Sequence, residues 1–190
     1  RNVNWKMRKI ITFLGATLIK DREGNLVKTS YLHTGKIYPG SVFPEALRQF
    51  TSYDKMLVFV TEKAREVTWP QLEGLNDKRI IPIDIPTGNT TEELWELFGI
   101  ILGQVDEGDC VIFDITQGLR STPFLMFLFA SFLKIARNVS IEAIYYGAFE
   151  LGKDRPAPVV DLSDFVTMLD WLTATDQFTQ TGNAGRLADL

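Results

Sequence analysis

The chain has 190 residues and a mass of 21.5 kDa, which is enough for one domain with a substantial core. Asp and Glu outnumber Lys and Arg by 24 to 20, which argues against a protein that coats long nucleic acid through bulk positive charge. One cysteine and one histidine exclude a disulfide framework and a metal site built from several imidazoles, and the single cysteine fits a reducing compartment such as the cytoplasm.

Short apolar runs alternate with helical patterns along the chain. Leu57–Val60 and Val111–Phe113 are apolar at successive positions, so both faces of these strands are expected to be covered. This alternation predicts an α/β fold, a Rossmann-like doubly wound domain with a mainly parallel sheet. The predicted strands are Lys9–Leu14, Met56–Val60, Arg79–Ile85, Cys110–Ile115 and Ile141–Tyr146.

Residues Asn25–Tyr38 differ from this alternation. Two strand-like runs are separated there by Thr34-Gly35, which predicts a β-hairpin inserted between the first strand and the first helix. Farther along, the apolar stripe of Thr91–Val105 predicts a helix with Thr90 as its N-cap.

Two more helices are predicted toward the end of the chain. Thr122 is a favourable N-cap and Pro123 a favourable first residue for a helix that reaches Ala136. Its apolar residues cover the whole circumference, so the side away from the sheet needs a cover, either another helix of the same chain or a two-fold copy. The last helix is predicted from Ser163 toward Phe178, with Asp164 and Asp170 exposed and Phe165, Leu169 and Leu172 inward.

The chain is divided into three segments by these patterns. Residues 1–6 are polar and precede Met7, and we interpret them as an upstream extension or a cloning remnant. Residues 7–162 form the predicted α/β domain, and residues 163–190 form a helical segment that leads toward a further domain. The longest apolar stretch, Pro123–Ala136, is shorter than the ~20 residues of a bilayer span, so no membrane partner is expected.

Small polar residues follow the predicted strands, at the edge where such sheets bind ligands. The loops offer backbone N–H groups and hydroxyls that can bind an anion. The loop after the fourth strand also contains a guanidinium beside a helix N-terminus, where a cation is unfavourable unless an anion binds next to it. This rim suits a phosphodiester better than acid–base chemistry. The candidate residues are Gly15, Ala16, Thr17 and Leu18 after the first strand, Glu62 after the second, Asn89 after the third, and Thr116, Gln117, Gly118, Leu119, Arg120, Ser121 and Thr122 after the fourth.

Structural roles are alternatives for several of these residues. Gly15 also fits a tight strand-to-helix turn, Thr90 a helix cap, and Asp114 a residue that fixes its own loop. No GxGxxG follows the first strand and no GxxxxGK[ST] is present, which weakens a Rossmann enzyme that uses a nucleotide cofactor. We therefore expect no cofactor and no metal.

Several segments of the chain together resemble a known family. The run Asp114-Ile-Thr-Gln-Gly-Leu-Arg-Ser-Thr-Pro123 is its most specific part, and Phe13–Ala16, Thr61–Ala64, Ile85–Trp95, Tyr145–Ala148 and Val159–Leu162 occur in the same order. These segments resemble the CARF (CRISPR-associated Rossmann fold) domains of type III CRISPR ancillary effectors. Many members have His where this chain has Gln117, and Gln does not titrate near neutral pH.

The resemblance implies a homodimer that binds a cyclic oligoadenylate second messenger, cyclic tetra-adenylate or hexa-adenylate, across its two-fold axis. The loops after the first and fourth strands would form the site, with adenine selectivity from backbone groups, Asn89, Glu62 or the hairpin aromatic Tyr31. Binding would activate a C-terminal effector, by analogy a HEPN ribonuclease, a deaminase or another nuclease. This domain would then be a sensor without catalytic residues.

An alternative from the same family is a ring nuclease that itself cleaves the cyclic oligoadenylate. Thr17, Thr116, Ser121 and Arg120 would position a ribose 2′-OH for attack on its own phosphate. Gln117 provides no general base, so cleavage would be slow.

Overall fold

The structure, a computed structural model, describes residues 5–118, 121–152 and 155–189, with Thr122 described for its backbone alone. The described strands are β1 (Arg8–Leu14), β2 (Thr29–His33), β3 (Lys36–Gly40), β4 (Lys55–Val60), β5 (Ile80–Asp84), β6 (Cys110–Asp114), β7 (Ser140–Gly147) and β8 (Ala157–Asp161). The described helices are α1 (Phe43–Phe50), α2 (Glu62–Val67), α3 (Trp69–Glu73), α4 (Thr91–Leu102), α5 (Thr122–Ala136), α6 (Ser163–Thr181) and α7 (Gly185–Ala188).

The strands form one sheet in the order β3-β2-β8-β7-β6-β1-β4-β5. All neighbours pair in parallel except β2 with β3 and β7 with β8, which confirms the predicted mainly parallel α/β sheet. Successive residues of a strand point to opposite faces, as Ile10 and Ile11 show by packing in two different core clusters. Helices α1 to α3 cover one face and α4 to α6 the other, because the strands are apolar on both faces.

The inserted hairpin is confirmed, and it joins the sheet. Strand β2 pairs in parallel with β8, with Tyr31 opposite Ala157. The ring of His33 stacks on Phe50 with centroids 4.3 Å apart, which fixes the hairpin against α1. A Cβ on Gly147 would lie 2.6 Å from Cδ2 of Phe43 and 2.9 Å from Cε1 of Tyr31, so the end of β7 accepts only glycine in this packing.

The helices correct two predictions. Helix α5 begins at Thr122, one residue early, so Ser121 rather than Thr122 is the N-cap, and Ser121 makes no side-chain capping bond. Helix α6 buries Val166 and Ala174 instead of Phe165 and Leu172, which are 51% and 61% exposed. The sequence stripe was misassigned because α6 carries apolar residues on opposite faces. Among the described helices, none combines the length and the apolar character required to cross a bilayer.

Candidate functional site

The direction of the chain across the sheet reverses between β1 and β6. From β1 the chain proceeds to β4 and β5 on one side, whereas β6 begins the succession to β7 on the other. In open α/β sheets, ligands bind beyond the carboxyl ends of the two strands at such a switch point. The loops after β1 and β6 are therefore the place where the fold favours a ligand.

A cavity of about 420 Å³ opens at this point. Its volume lies at the low end of the roughly 300–1,000 Å³ that small-molecule sites occupy. The described wall carries hydroxyls, one carboxamide and aromatic rings, and none of its side chains is Asp, Glu, Lys, Arg or His. The lining residues are Gly15, Thr17 and Ile19 after β1; Thr29, Tyr31 and Ser41 around the hairpin; Ile115, Thr116, Gln117, Gly118 and Pro123 after β6; and Tyr146 and Phe149 at the end of β7.

A buried carboxyl group fixes the loop after β6. Asp114 is fully buried, and its Oδ2 accepts a hydrogen bond from Thr12 Oγ1 at 2.5 Å while its Oδ1 accepts one from the Thr116 amide at 2.8 Å. Burial raises the pKa of Asp114 to about 6, against the opposing effect of these hydrogen bonds. The Thr116 hydroxyl then accepts a hydrogen bond from the Gly147 amide at 2.8 Å, so the loop is tied to β1 and to β7. Asp114 thus fixes its own loop, the structural alternative of the sequence analysis.

Gln117 faces the cavity from this loop. Its Oε1 is buried and has no hydrogen-bond partner in the described part of the chain. An ideal Cβ on Gly15 would lie 3.9 Å from Cβ of Gln117, so the loops after β1 and β6 face each other closely. Gly118 has a φ of 133°, a backbone conformation that favours glycine.

The aromatic wall of the cavity comes from two distant segments. Tyr31 is 3% exposed, and burial raises the pKa of its phenol. Tyr146 donates its hydroxyl hydrogen to Glu150, and burial together with that carboxylate raises the pKa of Tyr146 to about 12. Both phenols therefore stay neutral at physiological pH and offer rings rather than charges to a ligand.

Not every predicted site residue reaches this cavity. Gly15, Thr17, Thr116, Gln117 and Gly118 line it. Ala16 instead lines a smaller cavity of about 130 Å³ on the other side of Gly15, and Leu18 packs against the core. The side chain of Ser121 is half-buried at the start of α5. Leu119, Arg120 and the side chain of Thr122 lie outside the described residues.

Two predicted residues are placed in local structural roles. Glu62 is exposed in the first turn of α2. Asn89 donates from Nδ2 to Thr87 Oγ1 at 2.8 Å, and its amide donates to Glu93 Oε2 at 2.8 Å. Thr90 accepts a hydrogen bond from the Glu93 amide at 3.2 Å, so this loop is the N-terminal cap of α4. Neither Glu62 nor Asn89 lines the cavity after β1 and β6.

Sequence reasoning missed seven residues of the wall: Ile19, Thr29, Ser41, Ile115, Pro123, Tyr146 and Phe149. Three of them flank or belong to the inserted hairpin, whose place in the sheet depends on long-range pairing with β8. The only signal in the sequence was the position of the insertion, directly after the strand that forms one half of the switch point.

An apolar surface lies beside the site, on α4 and α5. Helix α5 buries Met126, Phe129, Ala130 and Leu133 against the sheet, but it exposes Phe124, Leu128, Phe132 and Ile135 along one stripe. A groove of about 430 Å³ runs between this stripe and α4, where Trp95 is 68% exposed. The described part of the chain leaves this face uncovered.

The fold and the cavity define a class, a Rossmann-like α/β domain with a cavity at its switch point. No profile of a known protein family matches the chain. Over 110 residues the chain is 34% identical to the CRISPR-associated protein MJ1674 of Methanocaldococcus jannaschii. That match covers 56% of this chain and 17% of the relative, so the matched segment spans less than a fifth of the relative's length.

Proposed function

We propose that this chain is the CARF sensor domain of a type III CRISPR-associated protein and binds a cyclic oligoadenylate. The cavity at the switch point carries the proposal, because it brings together the loops after β1 and β6 that the resemblance assigns to the ligand. The similarity to a protein named as CRISPR-associated supports the same context.

The chemistry of the wall suits one nucleotide unit. Aromatic rings from Tyr31, Tyr146 and Phe149 favour a base, and the hydroxyls of Thr17 and Thr29 favour a ribose or a phosphate. Pro123, in the first turn of α5, brings the positive end of that helix to the cavity, where a phosphate is favourable.

The phosphate charge needs a cation that the described wall does not contain. In the sequence Arg120 follows the lining residue Gly118 by two positions and precedes the lining residue Pro123 by three. Its guanidinium is therefore our candidate for the phosphodiester, because Arg offers several N–H donors in one plane.

The ring is larger than the cavity, so we propose that two chains share it. The exposed stripe of α5 and the groove beside Trp95 offer the apolar surface that a two-fold interface requires. Because α5 begins at the cavity, an axis beside this helix would bring two copies of the site together. A ring with two-fold symmetry presents equivalent phosphates to two such copies.

We further propose that the domain signals through α6. Asp161, at the end of β8, accepts hydrogen bonds from the amides of Ile144 in β7 and Ser163 in α6. The loop after β6 is in turn bonded to the end of β7 through Thr116. A shift of that loop on ligand binding would thus reach α6, which we propose leads toward an effector such as a HEPN ribonuclease, a deaminase or another nuclease.

Cleavage of the ring by this domain is the second candidate, and the hydroxyls of the wall are what favour it. Asp114 is a poor general base for it, because the side chain is fully buried and both oxygens accept internal hydrogen bonds. Gln117 supplies no proton acceptor of suitable pKa. We therefore favour binding without turnover.

Isothermal titration calorimetry with cyclic tetra-adenylate and cyclic hexa-adenylate tests the proposal. We expect one ring per two chains, and a loss of about tenfold or more in affinity in Arg120→Ala, since a charge-assisted hydrogen bond contributes about 1.5–3 kcal/mol. Arg186→Ala, an exposed arginine of α7, is the matched control. Absence of heat with both rings at two well-separated temperatures would refute the proposal. Linear products on chromatography of the mixture would establish the ring nuclease instead.

A further inference from the structure

Gln117 holds a hydrogen-bonding group that has no partner among the described residues. A carboxamide has one acceptor oxygen and two N–H donors, and Oε1 of Gln117 is buried without a partner in the described residues. A buried acceptor without a donor destabilises the folded protein, so native proteins rarely retain one unless something else satisfies it. Since the side chain lies on the cavity wall, a donor on a ligand is the group that would do so.

The neighbouring polar groups do not satisfy this oxygen. The hydroxyls of Thr17, Thr29 and Ser41 share the cavity wall, yet none of them donates to Gln117 in the structure. The Thr116 hydroxyl accepts from the Gly147 amide, and the Tyr146 hydroxyl donates to Glu150. Gln117 therefore lines a cavity together with aromatic rings, and two of the neighbouring hydroxyls, those of Thr116 and Tyr146, already have other partners.

We propose that Gln117 determines the base specificity of this site by reading the edge of an adenine. The inference rests on the proposed function. The exocyclic N6 amine of adenine would donate to Oε1, and Nε2 would donate to the adjacent N7, the two-bond pattern that Gln forms with adenine. The base would stack against the rings of Tyr31, Tyr146 or Phe149.

This assignment replaces the candidates from the sequence analysis. The carboxamide of Asn89 is bonded to Thr87 in the cap of α4, and Glu62 is exposed on α2. Gln117 is the carboxamide on the described cavity wall, and the fold holds its loop rigidly through Asp114 and Thr116. A fixed loop is what recognition requires, because a hydrogen-bonding group selects a base only when it cannot turn away from the wrong one.

The test compares two ligands and three variants by calorimetry. The ligands are the adenylate ring that binds more tightly, tetra or hexa, and its all-inosine counterpart, in which a carbonyl acceptor replaces the N6 amine. Gln117→Leu keeps the size of the side chain but removes its donor and acceptor, and Gln117→Ala serves if the leucine variant does not fold. Gln71→Leu on α3, another half-buried glutamine, is the matched control because it lies away from the cavity.

We expect the wild type to prefer adenylate over inosinate by about tenfold or more, as a bidentate contact to a base provides. Gln117→Leu should lose that preference, chiefly by weaker adenylate binding, while Gln71→Leu retains it. Without ligand, Gln117→Leu should unfold at a higher temperature than the wild type, since it removes the unsatisfied oxygen.

The negative results of this test distinguish the role of Gln117 from the proposed sensor function. A wild type that binds the adenylate ring, together with a Gln117→Leu variant of unchanged affinity and preference, overturns the role of Gln117 and leaves the sensor function intact. Equal affinity of the wild type for both rings also overturns it. Failure of the wild type to bind either ring overturns the sensor function and the inference with it.

Discussion

The two ends of the sheet use their polar groups in opposite ways. At the amino end, Lys9 is almost fully buried and its ammonium lies 2.7 Å from Asp109 and 3.3 Å from Asp106, while Arg8 pairs with Glu142. At the carboxyl end, the described cavity wall has no charged side chain, and the carboxyl group of Asp114 is sealed beneath it.

The difference lies in which groups already have partners. Arg8 Nε and Asp109 Oδ1 have no partner in the part of the chain that the structure describes, but both residues form ion pairs through other atoms. At the amino end, burial and Glu142 raise the pKa of Cys110 to about 12, so even the thiol is unreactive there. At the carboxyl end, Gln117 lines a cavity, and its Oε1 has no partner in the described residues. Charge stabilises one end, whereas the described cavity wall at the other end carries only neutral side chains.

Removing the buried ion pair at the amino end of the sheet should have the largest effect on stability. Lys9→Met leaves the buried carboxylate of Asp109 without its ammonium, and we expect a loss of about 3–5 kcal/mol in the free energy of unfolding, measured with urea. Ligand affinity of the folded fraction should not change. The double variant Lys9→Met/Asp109→Asn should recover most of the loss, and a double variant as unstable as the single one would contradict this explanation.

At the carboxyl end, Asp114→Asn should change how stability depends on pH. Because the folded protein holds the Asp114 proton up to about pH 6, whereas an unfolded Asp releases it near pH 3.8, wild-type stability falls as pH rises through this window. The shift corresponds to about 3 kcal/mol, and the carboxamide of the variant does not titrate. As the pH rises from 3.5 to 7.5, the free energy of unfolding of Asp114→Asn should therefore increase by about 3 kcal/mol relative to that of the wild type.

Urea denaturation of both proteins across this range measures the difference. His33, whose pKa burial lowers, titrates in both proteins and cancels. A constant difference between the wild type and Asp114→Asn would show that folding does not raise the pKa of Asp114.

The contact between β7 and the hairpin should be sensitive to one methyl group. Gly147→Ala would place Cβ 2.6 Å from Phe43 and 2.9 Å from Tyr31, and we expect a loss of about 1–3 kcal/mol from overpacking. Because Tyr31 lines the cavity, ligand affinity should fall as well. Gly99→Ala in α4, where a Cβ meets nothing within 4 Å, is the control. Equal stability of the two variants in urea would exclude the tight packing.

The smallest effect on stability should come from Gly15→Ala. The new Cβ meets only Cβ of Gln117 at 3.9 Å. The variant should therefore be more stable than the wild type, by no more than about 1 kcal/mol in the free energy of unfolding. Its methyl group narrows the gap between the loops after β1 and β6, and calorimetry should show about tenfold weaker binding of the ring. Unchanged affinity would place the ligand elsewhere.

The sequence predicted those features of the two ends of the sheet that depend on the local order of apolar and polar residues. Strands such as β4 and β6 are apolar at successive positions and are buried on both faces, so their runs were recognisable. The alternation of strands and helices predicted a site at the carboxyl ends of the strands, whereas the switch point between β1 and β6 became apparent only from the strand order of the structure. The hairpin was predicted as a unit, but its pairing with β8 joins residues more than 120 positions apart, which no local pattern specifies.

The contents of the cavity wall were harder to predict for the same reason. Thr29 and Tyr146 meet there only because β2, β8 and β7 lie side by side. Asn89 resembled a ligand residue because polar loop residues look alike in sequence, whether they cap a helix or face a cavity. Which of the two carboxamides remains unpartnered is decided by tertiary packing.

Hydrogen exchange of the intact chain, with and without the ring that binds, tests the central claim most directly. We predict slower exchange at residues 15–18 and 115–118 and in the hairpin around Tyr31, with no change around Lys9 and Asp109 at the amino end. Slower exchange at the amino end alone, or no change anywhere at a saturating concentration of ring, would contradict the account.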